Sequence, residues 1–322
     1  MDIYLLGSNS MLVKDHFRME DVKKQFWQLP KADVHNHLHL SAGILLLKEQ
    51  YPGIHFEPPR SYGGFNGMMH FIEKHVNTLM RSSDDVVMLM DMAIRSAIKD
   101  HVNRLEASVD LHLVKYFNDS LENFIVAVGD LKQKYKHQIE FRPEIGIKKD
   151  SSLEVVYRNG LACIRSDVFN GIDIYGKEAD QDLSGFKEIF EEARARSKKT
   201  KVHIGEFSDH ISVERAIETL DPDEIQHGIR AVDSENTIEM IIDRGIRLNM
   251  CPQSNIALGA AKNYSEHPVR RLYDAGVNIT INTDDLLLFN ATITDQFAEL
   301  TRQGLFTFEE IDGIRRNALN EE

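Results

Sequence analysis

Cysteine is scarce in this chain of 322 residues: Cys163 and Cys251 are the two it has, far apart and each in an apolar stretch. That pattern excludes a disulfide framework. With no Cys-x-x-Cys pair it also argues against sulfur-ligated zinc, and two buried thiols in a reducing compartment are expected. Long apolar runs are lacking too. No stretch approaches the roughly 18 apolar residues of a membrane-crossing helix. Residues 1–12 are mildly apolar but have neither the basic start nor the extended apolar core of a secretory signal. The expectation is a cytoplasmic chain with no membrane partner. Positive charge is in deficit: 38 Lys and Arg stand against 51 Asp and Glu, a formal net charge of −13, with no long basic run. Such a chain repels a phosphate backbone, which argues against nucleic acid as a partner. Low-complexity segments and linker-like shifts in composition are absent as well. Residues 1–322 are therefore expected to form a single domain, with a hydrophobic fraction of 42% that is enough for a large core.

What the chain does have is alternation. Strands are expected at residues 32–40, 102–111, 139–147, 168–175, 201–204, 224–226, 246–250 and 277–282. Helical patterning falls between them, at 67–98, 121–135, 185–197, 213–220, 234–243 and 268–275, and then at 293–300 and 308–319. In 185–197, for example, Phe186, Ile189, Phe190 and Ala193 recur at helical spacing. Eight strand-then-helix repeats predict an α/β fold, a (β/α)8 TIM barrel. The Pro- and Gly-rich residues 51–65 read as a lid-like insertion after the first strand.

Barrel enzymes carry their chemistry at the carboxyl ends of the strands, and polar residues gather there. His35-Asn36-His37-Leu38-His39 ends the first strand. The two-residue period of a strand puts His35 and His37 on one face, where both could reach a single metal ion. Val202-His203-Ile204-Gly205-Glu206 adds a third imidazole, a glycine that lets the backbone pass close to a ligand, and a carboxyl just past the strand. Gln226-His227-Gly228 ends the sixth strand and Asn282-Thr283-Asp284-Asp285 the eighth. Singly, each has a plain structural explanation: a chance pair among 14 histidines, a core His227, a surface Glu206, an aspartate capping the next helix. Two adjacent acids after an apolar strand exceed what one cap requires, because unpartnered buried carboxylates are costly. Together the residues read as a metal-dependent catalytic site.

In order along the chain, these pieces resemble the adenosine deaminase family of metal-dependent amidohydrolase barrels. Leu29-Pro30-Lys31-Ala32-Asp33-Val34-His35-Asn36-His37-Leu38 looks like the family's opening strand, and Gly171-Ile172-Asp173-Ile174-Tyr175-Gly176 is similar to its fourth-strand segment. His203-Ile204-Gly205-Glu206 is close to the family's His-Ala-Gly-Glu, and Gln226-His227-Gly228 to its Gly-His-Gly. Cys251-Pro252-Gln253-Ser254-Asn255, His267-Pro268 and Thr283-Asp284-Asp285 follow in the family's order. The resemblance implies one Zn2+ per chain, held by His35, His37, His203 and Asp284, which acidifies a water. It implies that His227 orients that water and stabilises developing charge. Glu206, kept protonated by burial, would give its proton to the ring nitrogen beside the amino-bearing carbon. Asp285 would meet the imidazole side of a purine and the Gly176 backbone the opposite ring nitrogen, so that His37, His39, Gly176 and Asp285 face the substrate. The implied reaction is hydrolytic deamination of an adenosine-like or other aminopurine small molecule, with release of ammonia. The Pro-Cys-x-x-Cys pair of the small zinc deaminases of bases is absent.

Departures from the family pattern concern the substrate side. Typical members follow His-x-His-Leu with Asp-Gly, the Asp holding the ribose; here His39-Leu40 stands there, followed by Ser41-Ala42-Gly43. An imidazole donates where a carboxylate accepts, which suits a substituent rich in acceptors, such as a carboxylate or phosphate, unless His39 packs away under the lid. Leu286 to Phe289 follow Asp285 where proline is usual. Glu106 is followed by Ala107-Ser108 without the family's arginine, and Lys148-Lys149 ends the third strand where arginine is common. A second reading is therefore an amidohydrolase of the same fold acting on a nucleotide or a non-purine substrate. A third, a catalytically idle purine-binding relative, predicts a lost ligand or a lost acid, and neither is lost.

Overall fold

Short segments in which apolar and polar residues alternate become eight parallel strands in the computed structural model, which describes residues 19–178 and 182–319. The reading of residues 1–12 lies outside the described residues. The strands are β1 (Lys31–Asp33), β2 (Val102–Asp110), β3 (Glu140–Lys148), β4 (Gly171–Tyr175), β5 (Lys199–Ile204), β6 (Glu224–His227), β7 (Arg247–Met250) and β8 (Ile279–Ile281), hydrogen-bonded in that order. A bridge between Asn36 and Asp284 joins the end of β8 to the segment after β1. There the Asp284 N–H donates to the His35 carbonyl at 3.0 Å, and the Val34 N–H donates to the Asn282 side-chain oxygen at 2.9 Å. The expected (β/α)8 barrel is the observed one.

Alternation along β2 shows how the interior is built. Leu105, Ala107 and Val109 face the helices, whereas Glu106, Ser108 and Asp110 point inward and form one line up the barrel. The deepest layer is ionic. The Lys201 ammonium is fully buried, 2.6 Å from Glu106, 3.0 Å from Glu144 and 3.3 Å from Glu224. Burial alone would strip its proton, but the three carboxylates outweigh that and hold the ammonium above its ordinary pKa. Arg247 closes the layer against Glu224 at 2.7 Å.

The strands expected at 168–175 and 277–282 are shorter, Gly171–Tyr175 and Ile279–Ile281, and two expected elements differ more deeply. Residues 67–98 are not one helix: Phe65–Phe71 is helical, Ile72–Val76 forms a π turn and Asn77–Leu79 a 3-10 turn. A new helix, Ser83–Lys99, begins where the Ser82 hydroxyl accepts the Asp85 N–H at 3.3 Å. That serine cap is a local start signal which the continuous apolar periodicity conceals. The first strand is also shorter than residues 32–40, for it ends at Asp33, and Leu38–Leu40 is a 3-10 turn. Asn36 donates to Asp33 at 3.3 Å and to Thr283 at 3.0 Å, and Ser41 donates to the His37 carbonyl at 3.0 Å. These side-chain bonds take the place of a regular ladder.

Residues 51–65 lie against the short helices that follow β7 and β8, Pro252–Ala257 and Leu286–Phe289. Tyr62 fastens them, its N–H donating to the Ala257 carbonyl at 3.0 Å and its hydroxyl to the Leu288 carbonyl at 2.8 Å. The helix that follows packs so closely on this loop that a Cβ on Gly67 would lie 1.8 Å from the Tyr62 carbonyl oxygen. Cys163 and Cys251 are buried and free. Among the described residues no helix is long and apolar enough to cross a membrane.

Lys201→Met leaves three carboxylates facing one another without their cation. Breaking a buried ion pair from one side costs about 3–5 kcal/mol, so the urea or guanidinium midpoint of this variant falls sharply; an unchanged midpoint would show that the carboxylates do not need the ammonium.

Candidate active site

The upper layers of the barrel interior are built by the same two-residue period. In β2, Ser108 donates through a short hydrogen bond to Asp173 of β4, and one step higher Asp110 accepts the Tyr175 hydroxyl at 2.5 Å. Between them Gly146 of β3 is required by space, since a Cβ there would lie 2.8 Å from Asp110 and 3.2 Å from the Ser108 Cβ. Asp110 also meets His37 Nδ1 at 3.3 Å, and Asp173 meets His203 Nε2 at 3.0 Å. Each of these two histidines therefore has an inward aspartate as its partner.

His35 is buried and its Nδ1 donates to the Asn249 carbonyl at 2.8 Å, which fixes the tautomer and leaves Nε2 as an acceptor. That Nε2 has no hydrogen-bond partner. It lies 3.8 Å from Asp284 Oδ1. His35, His227, Cys251 and Asp284 form one group close enough to share an ion, and His37, Asp173 and His203 form the next. The rings of His35 and His203 stand 4.8 Å apart and those of His37 and His203 5.2 Å apart, so the two groups adjoin. A third group, His37 with Asp284 and Asp285, overlaps both, so the four residues expected as metal ligands lie in overlapping groups. An unpartnered buried imidazole nitrogen beside other imidazoles and a carboxylate is a donor set that suits zinc and related divalent ions. Burial pushes the Cys251 thiol well above its ordinary pKa and keeps it protonated.

Glu206 sits where the backbone leaves β5. Gly205 adopts φ 76, and a side chain on it would lie 2.6 Å from Val213. The turn is held by Glu178, whose carboxylate accepts the N–H groups of Gly205, Glu206, Phe207 and Ser208 at 2.8–3.1 Å. Burial opposes ionisation of Glu178, but Lys149 and the Ser208 bonds prevail and hold its pKa below the usual value. Glu206 is differently placed, with the acids Asp284 and Glu178 as its strongest charged neighbours. Burial first, then the charges of Asp284 and Glu178, raise its pKa well above the carboxylate range, although Asn255 pulls the other way.

Asn255 links the two residues expected to be catalytic. Its amide nitrogen donates to Glu206 Oε1 at 2.7 Å and meets His227 Nδ1 at 3.2 Å, while its oxygen accepts from His267 Nε2 at 3.0 Å. His267 Nδ1 accepts the Val269 N–H at 3.0 Å, so its proton is on Nε2 and the amide orientation follows. His227 Nδ1 is then an acceptor, and its Nε2–H points toward Glu206 at 3.6 Å and Asp284 at 4.0 Å. Burial lowers the His227 pKa well below its ordinary value, leaving the ring neutral.

A cavity of about 260 Å³ opens over these groups, bordered by His37, His39, Gly176, Glu206, Asp284 and Asp285. Phe65, Met68, Met69 and Ile72 cover it, so the covering face comes mainly from the helix after the 51–65 loop. His39 lines the cavity, buried, and does not pack away from it. Asp285 precedes the helix Leu286–Phe289 but makes no side-chain cap; its Oδ1 is buried without a partner, and burial and Asp284 raise its pKa well above the usual range. Gly176 adopts φ 109 and presents bare backbone to the cavity. Asp110, His112, Lys148, Glu178 and Asn255 were not anticipated as site residues. For Asp110 a signal was available: polar residues at 106, 108 and 110 alternate with apolar ones.

The sequence model described as adenosine deaminase matches residues 47–321. A Treponema pallidum protein provisionally named an adenosine/adenine deaminase is 36% identical over 279 residues, 86% of this chain and 93% of that protein. An adenosine deaminase of Clostridium acetobutylicum is 25% identical, covering 93% of this chain and 95% of its own. In fold, the chain is similar to the adenine deaminase of Arthrobacter aurescens, with a TM-score of 0.77, 19% identity and coverage of 90% and 92%. The N6-methyl-AMP deaminase of Arabidopsis thaliana gives a TM-score of 0.77 with 17% identity and coverage of 94% and 93%. A zinc-bound amidohydrolase of Burkholderia ambifaria gives 0.77 with 20% identity and coverage of 92% and 86%.

His35→Ala removes the acceptor that has no other partner. After loading with zinc and desalting, elemental analysis should find clearly less than the about one ion per chain expected of the parent; undiminished metal in the variant would place the ion elsewhere.

Proposed function

Because the chain belongs to the adenosine deaminase family, whose members are metal-dependent hydrolases, we propose that it is a zinc-dependent aminohydrolase that replaces the exocyclic amino group of an aminopurine with oxygen and releases ammonia. The observation that carries this reading is the pairing of Glu206 and His227 on one Asn255 amide, beside the buried histidines and Asp284. His35, His37, His203 and Asp284 would hold the ion, which when bound supplies the Lewis acidity that makes water a nucleophile near neutral pH. Side chains do the rest. His227, neutral with its proton on Nε2, donates to the attacking oxygen as negative charge develops there. Glu206, held protonated, passes its proton to the ring nitrogen next to the amino-bearing carbon, which makes that carbon more electrophilic. Asp285, on the same cavity wall, bonds the imidazole side of the ring, and the Gly176 backbone meets the opposite ring nitrogen. Adenine, adenosine and N6-methyl-AMP, the compounds named for its relatives and structural neighbours, share a purine with nitrogen at the reacting carbon, and that ring is the substrate class assigned here.

Ammonia release by the zinc-loaded protein from adenine, adenosine, deoxyadenosine and adenosine monophosphate tests the reaction; zinc bound with no ammonia from any of them would overturn the purine assignment. Glu206→Gln keeps its hydrogen bonds and the metal but has no acidic proton, so turnover falls by about 10²–10⁴-fold. Turnover within a few-fold of the parent would remove Glu206 from the reaction. Asn255→Ala touches neither metal nor ring and frees both Glu206 and His227. Its kcat should fall at least about tenfold with KM little moved; an effect confined to KM would make Asn255 a substrate contact instead.

A further inference from the structure

The cavity has a second polar wall that the deamination chemistry does not use. His39, from the turn after β1, and His112, just past β2, stand with their rings 5.7 Å apart. Lys115 follows in the turn Leu111–Phe117, and Lys148 ends β3; all four line the cavity. His39 is 3% exposed, and its Nδ1 has no hydrogen-bond partner. The Lys148 ammonium makes no ion pair or hydrogen bond with another described residue. Two carboxylates stand nearby. Asp110 is already engaged by Tyr175 at 2.5 Å and His37 at 3.3 Å, 3.5 Å from His112 Nδ1. Asp150 is exposed at the rim.

This end of the cavity therefore presents two imidazole rings, with His39 Nδ1 unpartnered and His112 Nδ1 turned to Tyr175 at 3.3 Å, and two ammonium groups in a chain whose net charge is −13. A sugar hydroxyl both donates and accepts and is served by a carboxylate. Two ammonium groups and an unpartnered imidazole nitrogen, with Asp110 already engaged, are best satisfied by a group whose oxygens only accept, most strongly when that group is charged. We propose that His39, His112, Lys115 and Lys148 form an anion subsite, and that the substrate is an aminopurine carrying a phosphomonoester tail, not a free base or neutral nucleoside. The inference rests on the aminohydrolase reading for the placement of the ring at the metal cluster. Lys148 and Lys115 supply charge, the two imidazoles supply direction, and Asp110 connects the subsite to the reacting end through its bond to His37.

Calorimetry on zinc-loaded Glu206→Gln protein measures binding without turnover. Adenosine monophosphate should bind at least about tenfold more tightly than adenosine, and the advantage should shrink as salt rises. Lys148→Gln or Lys115→Gln in the same background should remove most of the advantage and leave adenosine binding unmoved. Equal affinities for the two compounds, or no binding of either, overturn the subsite, as does an advantage that survives both substitutions together. Adenosine 5′-carboxylate, with a single charge, should gain less than the phosphate; if it matches it, the phosphate assignment is overturned. If the parent releases ammonia from no aminopurine while the preference for the monophosphate persists, the aminohydrolase reading fails and the subsite stands.

Discussion

The hydrogen bond from the Asp284 N–H to the His35 carbonyl, 3.0 Å long, is where the first and last strands meet. It closes the barrel with the backbones of two residues whose side chains face the candidate metal site, so closure and site geometry are one constraint. Asp284 accepts a left-handed backbone, φ 57, to make it. Such conformations cost of order 1–3 kcal/mol and persist where the surroundings over-determine them. Here Ser41 donates to the Asp284 carbonyl at 3.0 Å and Ser254 to its carboxylate at 2.6 Å.

A barrel lined with polar side chains depends on charge being matched in depth. Burial opposes the ionisation of a carboxyl, and its charged neighbours decide the outcome. Against Glu224, Lys201 and Arg247 overcome burial and bring the pKa down to about 2. Against Glu206, Asp284 and Glu178 add to burial and push it well up. Two glutamates in one barrel are thus opposite in kind: the deep one is an anion within the ionic layer, and the one at the rim is held in its protonated form. Asn255 then makes the rim acid and His227 a unit, because one amide group orients both and is itself oriented by His267.

The two ends of the cavity differ in kind. At one, Glu206, Asp284, Asp285 and the neutral imidazole of His227 converge; at the other, His39 and His112 stand with Lys115 and Lys148. Replacing the sugar-binding carboxylate expected at residue 39 by an imidazole has meaning only in company with His112 and Lys148, which lie 73 and 109 positions further along the chain.

Much of this was legible before any coordinates. The alternation of strand and helix patterns determined the barrel, because each repeat buries its own apolar stripe. The placement of His35, His37, His203, Glu206, His227, Asp284 and Asp285 at strand ends followed from local order alone. The break at Ser82 was hidden because apolar periodicity continues across it, although the cap that causes it is local. Which side chains meet was not legible in the same way. Asp110 with His37, Asp173 with His203, Asn255 with Glu206 and Lys201 with its three glutamates are pairings across the barrel. A strand's period says that a residue faces inward, but only closure of the ring sets which residue from another strand arrives at the same height, and at that distance the electrostatics of the site are decided.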